Sequence, residues 1–253
     1  MTSDTVHIEG VPATFATRRE KVWMAMLAAS IPSPSMGGRE AGVSLEFNLP
    51  TLAPHGQPLD VDNLCEPVFV VLVRHAGWFG GRKSGILWWA ACKQAATPYG
   101  CTLSVTREVA PALPVGDPAY DEVYHGVLPS SANAPEVADW AEGIRSTSEC
   151  RSVSDCSVFL GFSSRAVNIG DISTGVVKSF VDCLYPLYGG RRGAPDDHRI
   201  SHLVVQKAVS DIPPGSVRVA LWFADQEPLQ VPARSVIEAE PLSEEDREMN
   251  NPC

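Results

Sequence analysis

The chain has 253 residues, of which 44% are apolar and 20% charged, so it holds enough apolar material for a packed core and is not disordered throughout. Its uninterrupted apolar runs, Val68–Val73 among them, are far short of the ~20 residues that a membrane helix needs. Thirty acids against twenty bases give a net charge of −10, which counts against a nucleic-acid surface, but residues 224–253 alone carry −6 of it.

The opening residues Met1–Thr5 carry neither a basic nor an apolar signal region. Seven cysteines stand at irregular spacings, with no Cys-x-x-Cys pair. The expectation is a cytoplasmic protein with reduced thiols, no zinc framework and no membrane contact.

In chain order, a short apolar stretch at Val6–Val11 comes first. A helix follows over Arg18–Ala29, with Val22, Met26 and Ala29 on one face. Val43, Leu45, Phe47 and Leu49 alternate with polar residues and predict a strand. An Asp-bearing segment then opens a helix over Asn63–Val73. A Gly-rich turn at Gly77–Lys83 and two strands, Ile86–Cys92 and Cys101–Thr106, complete the first half. The segment Pro111–Pro118 has the composition of a linker.

The second half repeats that order. It has a strand at Glu122–Leu128, a helix at Pro135–Ile144 and a strand at Ser157–Phe162. Asp171 leads a helix to Leu184, a Gly-rich turn spans Tyr188–Gly193, and strands follow at Ile200–Gln206 and Ser216–Phe223. Asp60 stands nine residues before Phe69, and Asp171 nine before Phe180. Gly80-Gly81-Arg82-Lys83 matches Gly189-Gly190-Arg191-Arg192. The offset drifts between about 109 and 117 positions. The expected fold is therefore α/β, built from two related β-α-β units packed as a pseudo-dimer. Residues 1–110 form the first unit, 111–120 the linker, 121–223 the second unit and 224–253 an acidic C-terminal extension. Val231–Ile237 is a candidate edge strand.

Three clusters could carry chemistry: Asp60 with Asp62 before a helix; Asp171 with Lys178 and Asp182, the last two four apart on one helix face; and Asp196-Asp197 before a strand. Carboxylates converging from such places make a hard-oxygen site for Mg²⁺. Each cluster also has an ordinary reading: Asp before a helix as an N-cap, Lys178 with Asp182 as an exposed ion pair, Asp-Asp as a turn. His198 and His202 lack a third ligand for zinc. Trp88, Trp89 and Trp222 read as packing rather than as platforms for bases. Arg82, Lys83, Arg191 and Arg192 in the two Gly-rich turns are the best candidates for phosphate contact.

The run Asp171–Leu184, then Gly189-Gly190, then Asp196-Asp197-His198-Arg199-Ile200 resembles the core of RusA-type Holliday-junction resolvases. Asp60-Val61-Asp62-Asn63-Leu64 resembles the first motif of that family. The resemblance implies a small α/β fold, a homodimer, and Mg²⁺- or Mn²⁺-dependent cleavage of branched or double-stranded DNA. Asp171, Asp196 and Asp197 would bind metal, with a split-site contribution from Asp60 and Asp62. Lys178 and Asp182 would join the catalytic set, and Arg82, Lys83, Arg191, Arg192 and Arg199 would contact DNA.

Neither half holds the whole pattern. Glu66 or Pro67 stands where the first half should carry the helix lysine, and the region Phe79–Ser84 has no acid. In the second half Ser173 or Thr174 replaces the second Asp of the motif. Two functions follow as expectations. One is a Mg²⁺-dependent, structure-selective endodeoxyribonuclease, working as an intramolecular pseudo-dimer or as a homodimer of whole chains. The alternative is a catalytically inactive binding or assembly subunit with a protein partner in a larger nucleic-acid or defence complex.

Overall fold

A computed structural model describes residues 3–14, 17–34, 40–50, 59–131, 134–147, 154–172 and 175–224. The acidic extension from residue 225 onward, including Val231–Ile237, lies outside the described residues. The elements are β1 (Ser3–Glu9), α1 (Glu20–Ser30), β2 (Ala41–Leu49), α2 (Val61–Val70), β3 (Ile86–Ala95), β4 (Gly100–Thr106), β5 (Tyr120–His125), α3 (Pro135–Thr147), β6 (Cys156–Phe162), α4 (Val176–Cys183), α5 (Tyr185–Tyr188), the short pair β7 (Gly190–Arg191) and β8 (Ala194–Pro195), β9 (Ile200–Lys207) and β10 (Ser216–Phe223). The fold is mixed α/β, with a large, mostly antiparallel eight-stranded sheet in the order β1-β4-β2-β3-β9-β6-β10-β5. Among the described residues no helix is long and apolar enough to cross a membrane.

The two parallel pairings are β2 with β3 and β6 with β9. A parallel pair needs a crossover, and α2 and α4 supply it. Both pairs carry an irregularity at the same place, after Ala41 and after Cys156. The centre of the sheet is the antiparallel pair β3·β9, in which Trp88 faces Gln206, Ala90 faces Val204 and Cys92 faces His202. This topology brings the end of β2, the end of β3 and the start of β9 to one edge of the sheet. The end of β6, the end of β9 and the start of β3 meet at the opposite edge.

The helices pack on one face. Val43, Leu45, Phe47, Trp89, Leu160 and Leu203 meet α2 and α4 there, all essentially inaccessible to water. Each large apolar side chain removed from water in this way contributes about 1.5–3 kcal/mol. Helix α2 is buried nearly all round, through Val61, Asp62, Leu64, Cys65, Glu66, Pro67, Val68 and Phe69. Phe69 stands edge-on to Trp89, with ring centroids 5.7 Å apart. The other face is covered in part by residues 110–116. Ala110 and Leu113 pack on Trp88, Phe159, Val204 and Trp222. The indole N–H groups of Trp88 and Trp222 donate to the carbonyls of Glu108 and Gly116. Both indoles are therefore engaged in packing.

Several elements differ from the sequence expectation. Helix α1 turns Trp23 and Leu27 into the core and leaves Val22 and Met26 exposed. Apolar residues occupy several sides of this helix, and the larger Trp23 gains more from burial than Val22 or Met26. The helix expected over 63–73 starts at Val61 and widens into a π-type turn over Val71–His75. Pro67 inside it has no N–H to give to the preceding turn, which weakens the regular ladder. Asp196-Asp197 does not run straight into a strand: Asp197–Arg199 form one 3₁₀ turn before β9. The described cysteines 65, 92, 101, 156 and 183 are free thiols.

Candidate metal centre

Asp60 and Asp62 stand at the start of α2, beyond the end of β2. Asp197 lies in the turn before β9, at the same edge of the sheet. Carboxylate oxygens of Asp60, Asp62 and Asp197 all lie within 4.8 Å of one another. Lys178, from α4, points into this group. Its Nζ lies 2.6 Å from Asp197, 2.9 Å from Asp182 and 3.1 Å from Asp62. The centre thus draws on residues from both halves of the chain.

The N-cap reading of Asp60 does not hold, because its side chain makes no cap hydrogen bond. It accepts instead from the Asn63 side chain at 2.7 Å, while Asp62 Oδ1 accepts the Asn63 backbone N–H at 2.8 Å. Asp62 is 1% exposed. Lys178 donates a formed hydrogen bond to Asp197. Asp62 Oδ2 and Asp182 Oδ1 are ion-paired to the same ammonium, and the buried Asp62 Oδ2 accepts no hydrogen bond.

Four carboxylates around one ammonium leave an excess of negative charge in a poorly solvated place. Burial, followed by the charges of Asp197 and Asp62, raises the pKa of Asp60 to about 7. Burial likewise raises Asp182. Burial alone would lower Lys178, but Asp62, Asp197 and Asp182 outweigh it and hold the ammonium firmly protonated.

Three mutually accessible carboxylates, one of them with a buried oxygen that accepts no hydrogen bond, fit a hard divalent cation. Asp60, Asp62 and Asp197 would hold Mg²⁺ or Mn²⁺, one or two of them directly and the rest through water. The proton on Asp60 gives the expected pH dependence. Below pH ~7 a cation must displace it, so Mn²⁺ affinity should fall by up to about tenfold per pH unit on acidification. Folding stability without metal moves the other way. The folded chain keeps a proton that the unfolded chain has released, so stability from this group is lost as pH rises through about 7. Mn²⁺ titrations and thermal melts between pH 5.5 and 8 measure both; a metal affinity that is flat with pH would contradict the assignment.

A residue the sequence reading missed holds the centre together. Lys93, near the end of β3, is 5% exposed and donates to the carbonyls of Leu59 and His198. Those carbonyls adjoin Asp60 and Asp197, so one ammonium ties the two acidic segments to each other. Its signal in the sequence is a lysine ending an apolar strand, repeated 114 positions later as Lys207. Lys207 makes the corresponding reach at the opposite edge, donating to the Ser84 carbonyl at 2.5 Å. Replacing Lys93 with Met should weaken Mn²⁺ binding by about 10–100-fold, with partial rescue by Arg, as for other supports of metal ligands. Unchanged affinity in a folded Lys93→Met chain would refute this role.

The other candidates lie elsewhere. Asp171 is apart from the centre, beside Lys83 at 3.9 Å. Asp196 faces Arg199 at 3.9 Å and is not among the three converging carboxylates. Lys83, expected at DNA, is turned inward: its side chain is 12% exposed and its Nζ lies 2.6 Å from Glu66. Arg199 donates to the Tyr188 carbonyl, bracing α5 against the turn before β9. Arg82, Arg191 and Arg192 are exposed. The hairpin bearing Arg191 and Arg192 lies next to the centre, with Arg192 and Gly193 lining a small recess with Asp182. Gly189 and Gly190 start this hairpin at φ of +107° and +88°, a backbone that side chains strain. The Gly189 carbonyl accepts the Asp196 N–H at 3.1 Å and so fixes the approach to Asp197.

No protein-family model matches the chain, and no match was found among curated proteins or solved structures.

Proposed function

We propose that this chain is a Mg²⁺-dependent, structure-selective endodeoxyribonuclease similar to RusA-type resolvases, with its centre assembled from two tandem β-α-β units. The duplication reading is supported by pairing register. A shift of 114 positions carries the Trp88–Gln206 pair onto Cys92–His202 and leaves Ala90–Val204 on itself, as a two-fold axis through β3·β9 requires. Phe47–Lys93 and Phe162–Lys207 also correspond, with β2 offset from β6 by 115 positions and β3 from β9 by 114. The observation that carries the functional reading is the convergence of Asp60 and Asp62, from one unit, with Lys178, Asp182 and Asp197 from the other.

A divalent ion bound there would supply Lewis acidity and a water of lowered pKa. The chain's own groups do the rest. Lys178 offers an ammonium to the charge that develops on the phosphate, and Asp182 and Asp197 hold that ammonium in place. Lys93 fixes the two acidic segments. Arg191 and Arg192, on the adjoining hairpin, contact the DNA backbone as positioning charges. In the hydrolysis, a water oxygen joins phosphorus, the bridging P–O bond breaks, and the leaving oxygen takes up a proton.

The test is incision of a synthetic four-way junction, against linear duplex of the same sequence, with and without Mg²⁺. The expected result is metal-dependent cutting that prefers the junction. No incision and no Mn²⁺ binding would overturn the reading and leave the inactive assembly subunit, which a stable co-purifying partner would identify.

A further inference from the structure

At the opposite edge of the sheet the same architecture holds a different set of side chains. There Glu66, on α2, takes the place that Lys178 takes on α4, and Lys83, in the turn before β3, takes the place of Asp197 before β9. The ion pair keeps its length, 2.6 Å in both cases, but its charges are exchanged between helix and turn. The second oxygen of Glu66 accepts the Ile172 N–H at 3.3 Å, so both of its oxygens are engaged. Asp171, from the other unit, lies 3.9 Å from Lys83. Val70 stands four residues after Glu66 where Asp182 follows Lys178, and residues 173 and 174, in the register of the second motif acid, are Ser and Thr. Two carboxylates face one ammonium there; both oxygens of the helix acid are engaged, and the one surplus charge sits on the half-exposed Asp171, so no set of converging, unengaged carboxylates is left to hold a cation. Among the described residues the only converging acid cluster is the one at Asp60, Asp62 and Asp197.

We propose that the chain carries one working metal centre and one counterpart locked by the reversed Glu66–Lys83 pair, so that it cuts a single strand per encounter and leaves a nick. This rests on the hydrolase reading above. It narrows the reaction from paired incision across a branch to hydrolysis of one phosphodiester bond.

A supercoiled plasmid that extrudes a cruciform counts the cuts. With Mg²⁺ and the full chain, the first product should be open circle, with linear DNA arising from it only later. Linear product in the first encounter would overturn the single-centre proposal while leaving the hydrolase reading intact. Absence of any incision would overturn the hydrolase reading, and the nick with it. Mn²⁺ titration separates the two centres without activity. Binding at one centre per chain, lost in Asp197→Asn and kept in the paired change Glu66→Gln/Lys83→Met, supports the proposal. A further Mn²⁺ equivalent that the Glu66→Gln/Lys83→Met chain lacks would overturn it. That variant should melt lower yet nick at an unchanged rate; loss of nicking in the folded variant would likewise count as refutation.

Discussion

Replacing Asp197 with Asn is expected to lower incision by about 10²–10³-fold and to abolish Mn²⁺ binding at micromolar metal. Asp197 has two tasks in the centre. It is one of the three carboxylates whose oxygens lie within 4.8 Å of one another, and it accepts the formed hydrogen bond from Lys178. Asparagine keeps the shape but removes the charge that attracts the cation and orients the ammonium. The contrast that gives this result its meaning is Asp171→Asn. Asp171 is half-exposed beside Lys83 and outside the cluster, so its substitution should leave incision within about twofold. Equal losses from the two substitutions would place the centre in the second half of the chain alone, contrary to the composite arrangement.

Lys178→Met should produce the largest loss of stability. It removes the one ammonium within 3.1 Å of Asp62, Asp182 and Asp197. Stranding buried charges after removal of their partner costs about 3–5 kcal/mol. Two conditions should reduce the loss. Acidification lets Asp60 and Asp182, already raised by burial, take up protons. Millimolar Mn²⁺ replaces the missing positive charge. Urea unfolding at pH 8 and pH 5.5, with and without Mn²⁺, measures all of this. A loss equal under the four conditions would mean that Lys178 contributes packing rather than charge. Incision should fall as well, because no other ammonium among the described residues approaches those three carboxylates at ion-pair distance.

Much of the fold was legible in the sequence. The alternation of Val43, Leu45, Phe47 and Leu49 marked β2, and each of those residues is buried. The chain order of strands and crossover helices was legible from periodicity and Gly-rich turns. The face of α1 was not, because apolar residues surround that helix and only packing selects Trp23 and Leu27. In the candidate site, the residue types were legible but their grouping was not. Motif order along the chain assigns Asp171 to Lys178 and Asp197, since all three belong to the second half. The antiparallel pairing of β3 with β9 sets the end of β3 against the start of β9, and so brings Asp60 and Asp62, rather than Asp171, to Lys178 and Asp197. Lys83 read as a surface cation because its partner Glu66 lies seventeen residues away on a helix with no visible charge pattern.

The most direct measurement of the composite centre is anomalous scattering from a crystal of the full chain soaked in Mn²⁺. The account predicts a peak bounded by Asp60, Asp62 and Asp197, adjacent to Lys178, with no peak between Glu66, Lys83 and Asp171. Manganese bound instead at Asp171 or Asp196, or no ordered ion near Asp197, would contradict it.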